Sequence, residues 1–274
     1  MTVEELLCYG KKFIHKTNAE MLLASLLNVN TLELLLMLDK IVDKEIVDNY
    51  KEKVMLIKNN MPIQYVIGNV NFYGNVFKVN KNVLIPRFET EELVENTIDY
   101  IKKYFNYPIG IIDLGCGSGC IGLSLKKKLD NVSVTLLDIS NDALDVAREN
   151  AQCLECDVNY LLSDMWKNVH NKFDIIISNP PYIRNDEEIE DIVKNNEPHL
   201  ALYGGLDGLD LYRKIRKDLL IHVKDKFMLA LEIGDLQKED VVKLFSDIEN
   251  VKIITKKDLS NRDRMVFIFR NIDI

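Results

Sequence analysis

Two short segments carry residue types whose spacing could hold a reaction. The first is SNPPY, Ser178–Tyr182, which follows the apolar run FDIII and precedes the charged run IRNDEEIEDI. Proline lacks an N–H, fixes its own φ and drives the residue before it into extended backbone. Two in succession hold the Asn179 side-chain oxygen and the Pro180 carbonyl rigidly. These two acceptors suit the two N–H groups of a planar –NH₂ group, and Tyr182 can cover it as aromatic faces do. The second segment is IIDLGCGSGCIG, Ile111–Gly122. It has apolar strand residues, Asp113, glycines at 115, 117 and 119, and then a helix. Glycines let the chain turn sharply and let a ligand touch the backbone. The next strand ends at Asp138, where an acid can take both hydroxyls of a ribose.

Two cofactors fit this much. Gly117, Gly119 and Gly122 spell G-x-G-x-x-G, the dinucleotide fingerprint, which is weak alone and here offset, because Gly115 is the first glycine after the strand. D-L-G-x-G-x-G, with its acid just ahead of the loop, resembles the S-adenosylmethionine loop of the seven-stranded methyltransferases. That resemblance implies that Gly115, Cys116, Gly117, Ser118 and Gly119 wrap the methionine part of the donor. SDMW, Ser163–Trp166, follows the third strand and fits the same ligand: Asp164 can accept from an adenine amino group, and Met165 or Trp166 can cover the ring. With a methyl donor beside it, SNPPY gains a chemistry. A planar nitrogen has a delocalised lone pair and is a poor nucleophile, so what it needs is positioning and preorganised electrostatics. No strong base is required beforehand, since the methylated nitrogen is cationic and sheds its proton easily. Asn179 lies between the two ligands and is counted with both.

The elements that must position these residues can be read from periodicity. Residues 1–60 show apolar residues at three- and four-residue spacing in VEELLCYGKKFI, AEMLLASLLN, TLELLLML and KEIVDNYKEKVMLIKNN, which predicts a small helical bundle, with Asn18 and Thr31 as N-caps. From Asn69 to Val79, aromatic and β-branched residues alternate around Gly74-Asn75, a β-hairpin pattern. A helix is expected to begin near Thr90. From Ile109 onward strands (IGIIDL, VSVTLLD, VNYLL, FDIIIS, KFMLALEI, VKIIT, RMVFIFR) alternate with helices at about 119–129, 141–154, 187–195, 208–223 and 236–247. That order predicts an α/β fold: a seven-stranded, doubly wound (Rossmann-like) sheet, mostly parallel, with helices on both faces. The final two strands, closely linked, should bring in one antiparallel strand. The expected division is 1–60 helical bundle, 61–88 linker with β-hairpin, and 89–274 methyltransferase domain.

N-P-P-Y resembles two groups of methyltransferases, one acting on exocyclic amines of DNA or RNA bases and one on the side-chain amide of glutamine in proteins. The flanks separate them. PIQYVIG, VLIPRFETEELVE, DLGCGSG, SNPPYI, EPHLALYGGLDGLDLYRKI and LALEIGDLQ, in that order, resemble the release-factor glutamine methyltransferases (HemK type) from about Met61 onward. The resemblance implies methyl transfer from S-adenosylmethionine to the glutamine of the Gly-Gly-Gln loop of bacterial peptide-chain release factors. It implies that Asn179, Pro180, Pro181 and Tyr182 bind that glutamine, that Gly115–Gly119 and Asp138 bind the donor, and that the N-terminal bundle helps grip the release factor. Arg87 and Glu89 join the substrate-binding set. Two positions depart from the pattern: Phe88 replaces the second proline of I-P-R-P, and Asn261 stands where glycine is common, though asparagine tolerates a left-handed backbone.

Bulk properties narrow the alternatives. Of the 274 residues, 47% are hydrophobic and 28% charged, ordinary for a globular protein. The net charge of −8 and pI of about 5.2 argue against a protein that grips a nucleic-acid backbone, which presents a basic face. The LysLysLys run at 126–128 lies late in a predicted helix, where cations suit the dipole, and reads as a solvated face. No apolar run reaches the ~18 residues of a membrane span, and MTVEELLCYGKKF lacks a basic n-region, so the expected location is the cytoplasm. The five cysteines (8, 116, 120, 153, 156) form no disulfide framework, and Cys153-x-x-Cys156 has no second pair at zinc spacing. No metal is expected, and the protein is expected to be a monomer.

Overall fold

A computed structural model of the chain describes residues 1–274. Two units form. One comprises Met1–Asn69 together with Ile189–Asn196, the other Val70–Glu188 with Glu197–Ile274.

The first unit is helical: α1 (Val3–Gly10), α2 (Lys16–Leu27), α3 (Thr31–Leu35), α4 (Lys44–Lys58) and α5 (Ile63–Ile67). Leu6, Leu22, Leu23, Leu34, Tyr50 and Val54 are fully buried in its core. Two capping boxes fix helix starts, Thr2 with Glu5 and Asn30 with Glu33; each satisfies two orphan donors reciprocally. The expected caps are corrected here. Helix α3 is capped by Asn30 rather than Thr31, and α2 starts one turn early, with His15 Nδ1 accepting from Thr17 N at 3.3 Å. Helix α5, in PIQYVIG, was not expected. Asn196 Nδ2 donates to Asn60 O at 2.8 Å within this unit.

The second unit begins at Val70, within the hairpin of β1 (Asn69–Phe72) and β2 (Asn75–Lys78). Its turn residues are Tyr73 and Gly74, with φ of 46° and 75°, so the reversal falls one residue before the Gly-Asn read from the sequence. Both central residues of a tight hairpin turn take positive φ, and Asn75 already belongs to the strand. Helix α6 (Phe88–Tyr104) follows. Then come β3 (Ile109–Leu114), α7 (Cys120–Lys128), β4 (Val132–Asp138), α8 (Asn141–Cys153), β5 (Asn159–Leu162) and β6 (Phe173–Ser178). The short α9 (Asp191–Asn196) belongs to the helical unit, and the sheet resumes after α10 (Asp210–His222) with β7 (Val223–Glu232), α11 (Lys238–Phe245), β8 (Val251–Lys257) and β9 (Asp263–Arg270).

The sheet order is β5-β4-β3-β6-β7-β9-β8. Strands β3 to β7 pair in parallel, and β9 runs antiparallel to both neighbours, as the sequence pattern predicted. Strands β3 and β6 are apolar and almost wholly buried, the mark of central strands covered on both faces. Leu93, Leu123 and Leu144, from α6, α7 and α8, pack on one face; Tyr212 and Val241, from α10 and α11, pack on the other. The chain order reverses direction between β3 and β6. Open α/β sheets bind ligands at such a point, outside the carboxyl ends of the strands. The loops emerging there are Gly115–Gly119 and Asn179–Tyr182.

Candidate active site

The glycine loop is held by backbone and by one acid. Gly115 N and Cys116 N both donate to Leu137 O, at 2.8 and 2.9 Å, and Gly119 N donates to Cys116 O at 2.8 Å. Gly115, Gly117 and Gly119 have φ of 71°, 53° and 78°, a region that costs other residues roughly 1–2 kcal/mol each. A Cβ on Gly115 or Gly117 would meet no protein atom within 4 Å, so both glycines face open space. Asp138, at the end of β4, accepts from Gly117 N and Ser140 N, each at 2.9 Å. Its carboxylate therefore shapes the loop with one lone pair on each oxygen and keeps the others for a ligand. Burial raises its pKa against the pull of those N–H groups. Asp113 accepts from Gly122 N at 2.9 Å, and burial pushes its pKa up to about 7. Its other oxygen and the Ser118 hydroxyl are buried without a protein partner.

The second segment is brought beside the first by register. Ser178, the last residue of β6, donates its hydroxyl to Leu114 O, the last residue of β3, at 2.6 Å. Beyond it, Asn179 Nδ2 donates to Thr90 Oγ1 at 3.2 Å. Thr90 in turn donates to Glu232 Oε2 at 2.7 Å, and the Tyr182 hydroxyl makes a long contact of 3.5 Å with Glu232 Oε1. Glu232 is 1% exposed; burial pushes its pKa up to about 7, against the Thr90 hydrogen bond and the charge of Arg264. Burial and the Glu232 charge also raise the Tyr182 phenol.

A cavity of about 240 Å³ opens onto both segments. Of the residues singled out from the sequence, Gly115, Cys116, Gly117, Ser118, Asp138, Asp164, Met165, Asn179, Pro181 and Arg87 line it. Gly119 lies behind the loop, against Leu123, Leu136 and Ala147. Pro180 is buried. Tyr182 is half-buried, with its ring against the α10/α11 core group. Glu89, in the first turn of α6, acts electrostatically on Tyr182 and Glu232. Asp164 pairs with Lys167 at 2.6 Å and Lys214 at 3.6 Å, which hold its carboxyl below the usual range.

Trp166 requires a correction. It is 5% exposed and lies in the core, its Nε1 donates to Ile215 O at 3.0 Å, and its ring stacks on His222 at 4.9 Å. An indole that finds its hydrogen-bond partner under α10 has no reason to face a ligand. Met165 is the residue of that pair at the cavity, at φ 49°, with its carbonyl accepting from Ser163 Oγ at 2.7 Å.

Several contributors were not read from the sequence. Thr90 and Glu232 set the Asn179 side chain. Glu197, 4% exposed, accepts from Ile85 N at 3.0 Å and from Arg87 at 2.5 Å, so the guanidinium expected at the substrate is tied to the cavity rim. Leu200 and Lys214 also line the cavity. A threonine, two glutamates, a leucine and a lysine have no local signature of their own; only the ETEELVE, LALEIGDLQ and EPHLALYGGLDGLDLYRKI blocks drew attention to their segments.

The residues present fit S-adenosylmethionine. Two open glycines, a ribose-capable acid at the end of β4 and the Ser118 hydroxyl, buried without a partner, line one cavity.

Comparison with known proteins places this cavity in context. Residues 98–206 match the methyltransferase small domain, and residues 14–68 match the PrmC N-terminal domain. A release factor glutamine methyltransferase of Bacillus cereus is 35% identical over 279 residues, 97% of this chain and 99% of its own length. One from Streptococcus pneumoniae is 40% identical over 229 residues, 82% of this chain and 80% of its own. Among solved structures, a methyltransferase from Pyrococcus furiosus superposes with a TM-score of 0.54 at 17% identity, covering 81% of this chain and 98% of its own. The 16S rRNA N2 G1207 methyltransferase of Thermus thermophilus does so with a TM-score of 0.54 at 15% identity, covering 74% and 50%. The last two likenesses are of fold alone.

Proposed function

The chain belongs to the release factor glutamine methyltransferases, and on that premise we propose which of its residues perform the reaction. It is an S-adenosylmethionine-dependent enzyme that methylates the side-chain amide nitrogen of the glutamine in the Gly-Gly-Gln loop of bacterial peptide-chain release factors. The observation that carries the site assignment is the shared cavity: Asn179 lines the same space as Gly115, Gly117 and Asp138, because Ser178 ties the end of β6 to the end of β3.

Gly115–Gly119, Asp138, Asp164 and Met165 hold the donor, which when bound supplies an electrophilic methyl group on sulfur. Asn179 Oδ1 accepts one N–H of the glutamine amide and the Pro180 carbonyl accepts the other, so the nitrogen is held in one orientation. Pro180 and Pro181 keep these acceptors from relaxing. Tyr182 shields the amide plane from water. Arg87, fixed by Glu197, keeps the rim in place, and Glu89 stands beside it. The helical N-terminal region, 1–60, grips the release factor, and 61–88 links it to the methyltransferase part, 89–274. No helix is long and apolar enough to cross a membrane. We propose that the enzyme acts as a cytoplasmic monomer and, with its net charge of −8, forms no stable complex with nucleic acid.

The test uses purified protein, tritiated S-adenosylmethionine and three acceptors: a release factor, the same factor with its Gly-Gly-Gln glutamine changed to asparagine, and an adenine-rich duplex. Label on the first acceptor only, lost with Asn179→Ala, is the expected result. Label on the duplex would overturn it in favour of base methylation.

A further inference from the structure

Glu232 is buried, ionisable and absent from the reaction as just described. It ends β7, whose Leu231 pairs with Ser178 of β6, so it sits next to the clamp. Its two oxygens face two clamp supports: Thr90 Oγ1 at 2.7 Å and the Tyr182 hydroxyl at 3.5 Å. Direction matters in this chain of bonds. A carboxylate only accepts, so the Thr90 hydroxyl must give its one proton to Glu232. Its oxygen is then an acceptor toward Asn179 and takes Nδ2–H, at 3.2 Å. The Asn179 amide is thereby held one way round, with Oδ1 as its remaining acceptor at the cavity.

We propose that Glu232 is a positioning residue for methyl transfer, setting through Thr90 which end of the Asn179 amide meets the substrate nitrogen. The proposal rests on the reading of Asn179 as an acceptor for the substrate amide. Its consequence is a polarity switch. A protonated Glu232 can donate to Thr90, which frees the Thr90 hydroxyl proton to point at Asn179. The amide then turns its oxygen to Thr90 and offers N–H to a substrate that also presents N–H, and the clamp fails.

The groups facing Glu232 come from every element around it. They are Glu89 and Thr90 of α6, Cys120 of α7, Tyr182 after β6, Tyr212 of α10, which donates to the Glu232 backbone carbonyl at 2.8 Å, and Arg264 of β9. Arg264 favours the carboxylate but is also bound to Asp258 Oδ2 at 3.1 Å, and Glu89 opposes it. Burial is the largest influence and leaves the carboxyl pKa at about 7. The relay is thus complete above that pH and is lost as pH falls through it.

The experiment measures kcat, and KM for the release factor, from about pH 5 to pH 9, with donor affinity by calorimetry as a check of folding. The variants are Glu232→Gln, Glu232→Leu, Thr90→Val and Thr90→Ser, with Asn179→Ala as reference. Glu232→Gln is isosteric with the protonated acid and cannot titrate, so it runs near the low acid-side rate at every pH and loses the acid limb. Glu232→Leu and Thr90→Val each lower kcat about 100-fold, as misplacement of a reacting group does, with donor affinity unchanged. Thr90→Ser, which keeps the hydroxyl, restores most of the rate. An unmoved acid limb in Glu232→Gln, or an undiminished kcat in Thr90→Val, would overturn the proposal while the wild type still labels the factor. A wild type that fails to label the Gly-Gly-Gln glutamine would sink the underlying reading as well.

Discussion

The two walls of the cavity are built differently. The donor wall is backbone: four loop N–H groups bond to Leu137, Cys116 and Asp138, all within one strand–loop–helix–strand unit. The acceptor wall is side chain: Asn179 bonds Thr90 across 89 positions of sequence, and Thr90 bonds Glu232 across 142. Backbone geometry is set by local choices such as glycine and strand register, whereas a side-chain network exists only once distant segments have packed. Damage should accordingly express itself as lost donor binding on one wall and as lost turnover on the other.

Asn179→Ala should have the largest effect. Removing one preorganised hydrogen-bonding group from a transition-state site costs about 10²–10³ in kcat. Donor affinity should fall far less than turnover, because Asn179 borders both ligands but the donor is held chiefly by the glycine loop and Asp138. Steady-state rates alongside calorimetry check this; a matching collapse of donor binding would break the comparison between the walls.

Gly117→Val comes next. At φ 53° a β-branched residue is a strained outlier, and its side chain enters space that no protein atom occupies. Donor affinity should fall at least about tenfold, because the side chain fills space the donor needs, while the left-handed strain of roughly 1–2 kcal/mol lowers the melting temperature by a few degrees. Unchanged affinity would mean that the donor does not approach Gly117.

The same contrast decides what could be read from the sequence. Asp113, the three glycines and Asp138 are legible because each obeys a local rule: positive φ at Gly115, Gly117 and Gly119, and an acid ending the second strand. The central strands are legible because buried parallel strands are continuous apolar runs, as in FDIIIS, and the edge strand β8 (VKIITKK) because its β-branched residues end in charged ones. Thr90 and Glu232 are not, because a threonine in the first turn of a helix and a glutamate ending a strand look like many others. Gln237 is a similar case: its Nε2 donates to Tyr182 O and Gly208 O, at 3.0 and 3.2 Å, and its Oε1 accepts from Gly234 N at 3.0 Å, fixing the far end of the clamp from another loop. The capping errors have a different origin. Asn30 lies just before Thr31, which also reads as a polar helix start, and the bond to Glu33 N decides between them; His15 lies one turn before Asn18, and its ring nitrogen, not a usual cap, takes Thr17 N.

Asn150 probes a distant side chain that supports the donor wall. Fully buried in α8, it donates to Ser118 O at 2.9 Å and Lys78 O at 3.0 Å and accepts from Lys78 N at 2.7 Å. Asn150→Ala leaves those groups without partners, at about 1–3 kcal/mol of stability, measurable by denaturant unfolding. Turnover at saturating donor should stay near wild type. A drop comparable with that of Asn179→Ala would show that the donor wall too depends on a side-chain network.

Trp166→Phe should be the mildest and tests the corrected residue directly. Phenylalanine keeps an aromatic plane against His222 but drops the N–H to Ile215 O. That carbonyl lies inside α10, where it also serves the helix ladder, so the net cost is one hydrogen bond and some packing, on the order of 1 kcal/mol. Because the indole faces the core beneath α10 and Met165 faces the cavity, donor affinity should be unaltered while thermal stability falls slightly. The opposite pattern, weaker donor binding at unchanged stability, would return Trp166 to the donor wall beside Met165.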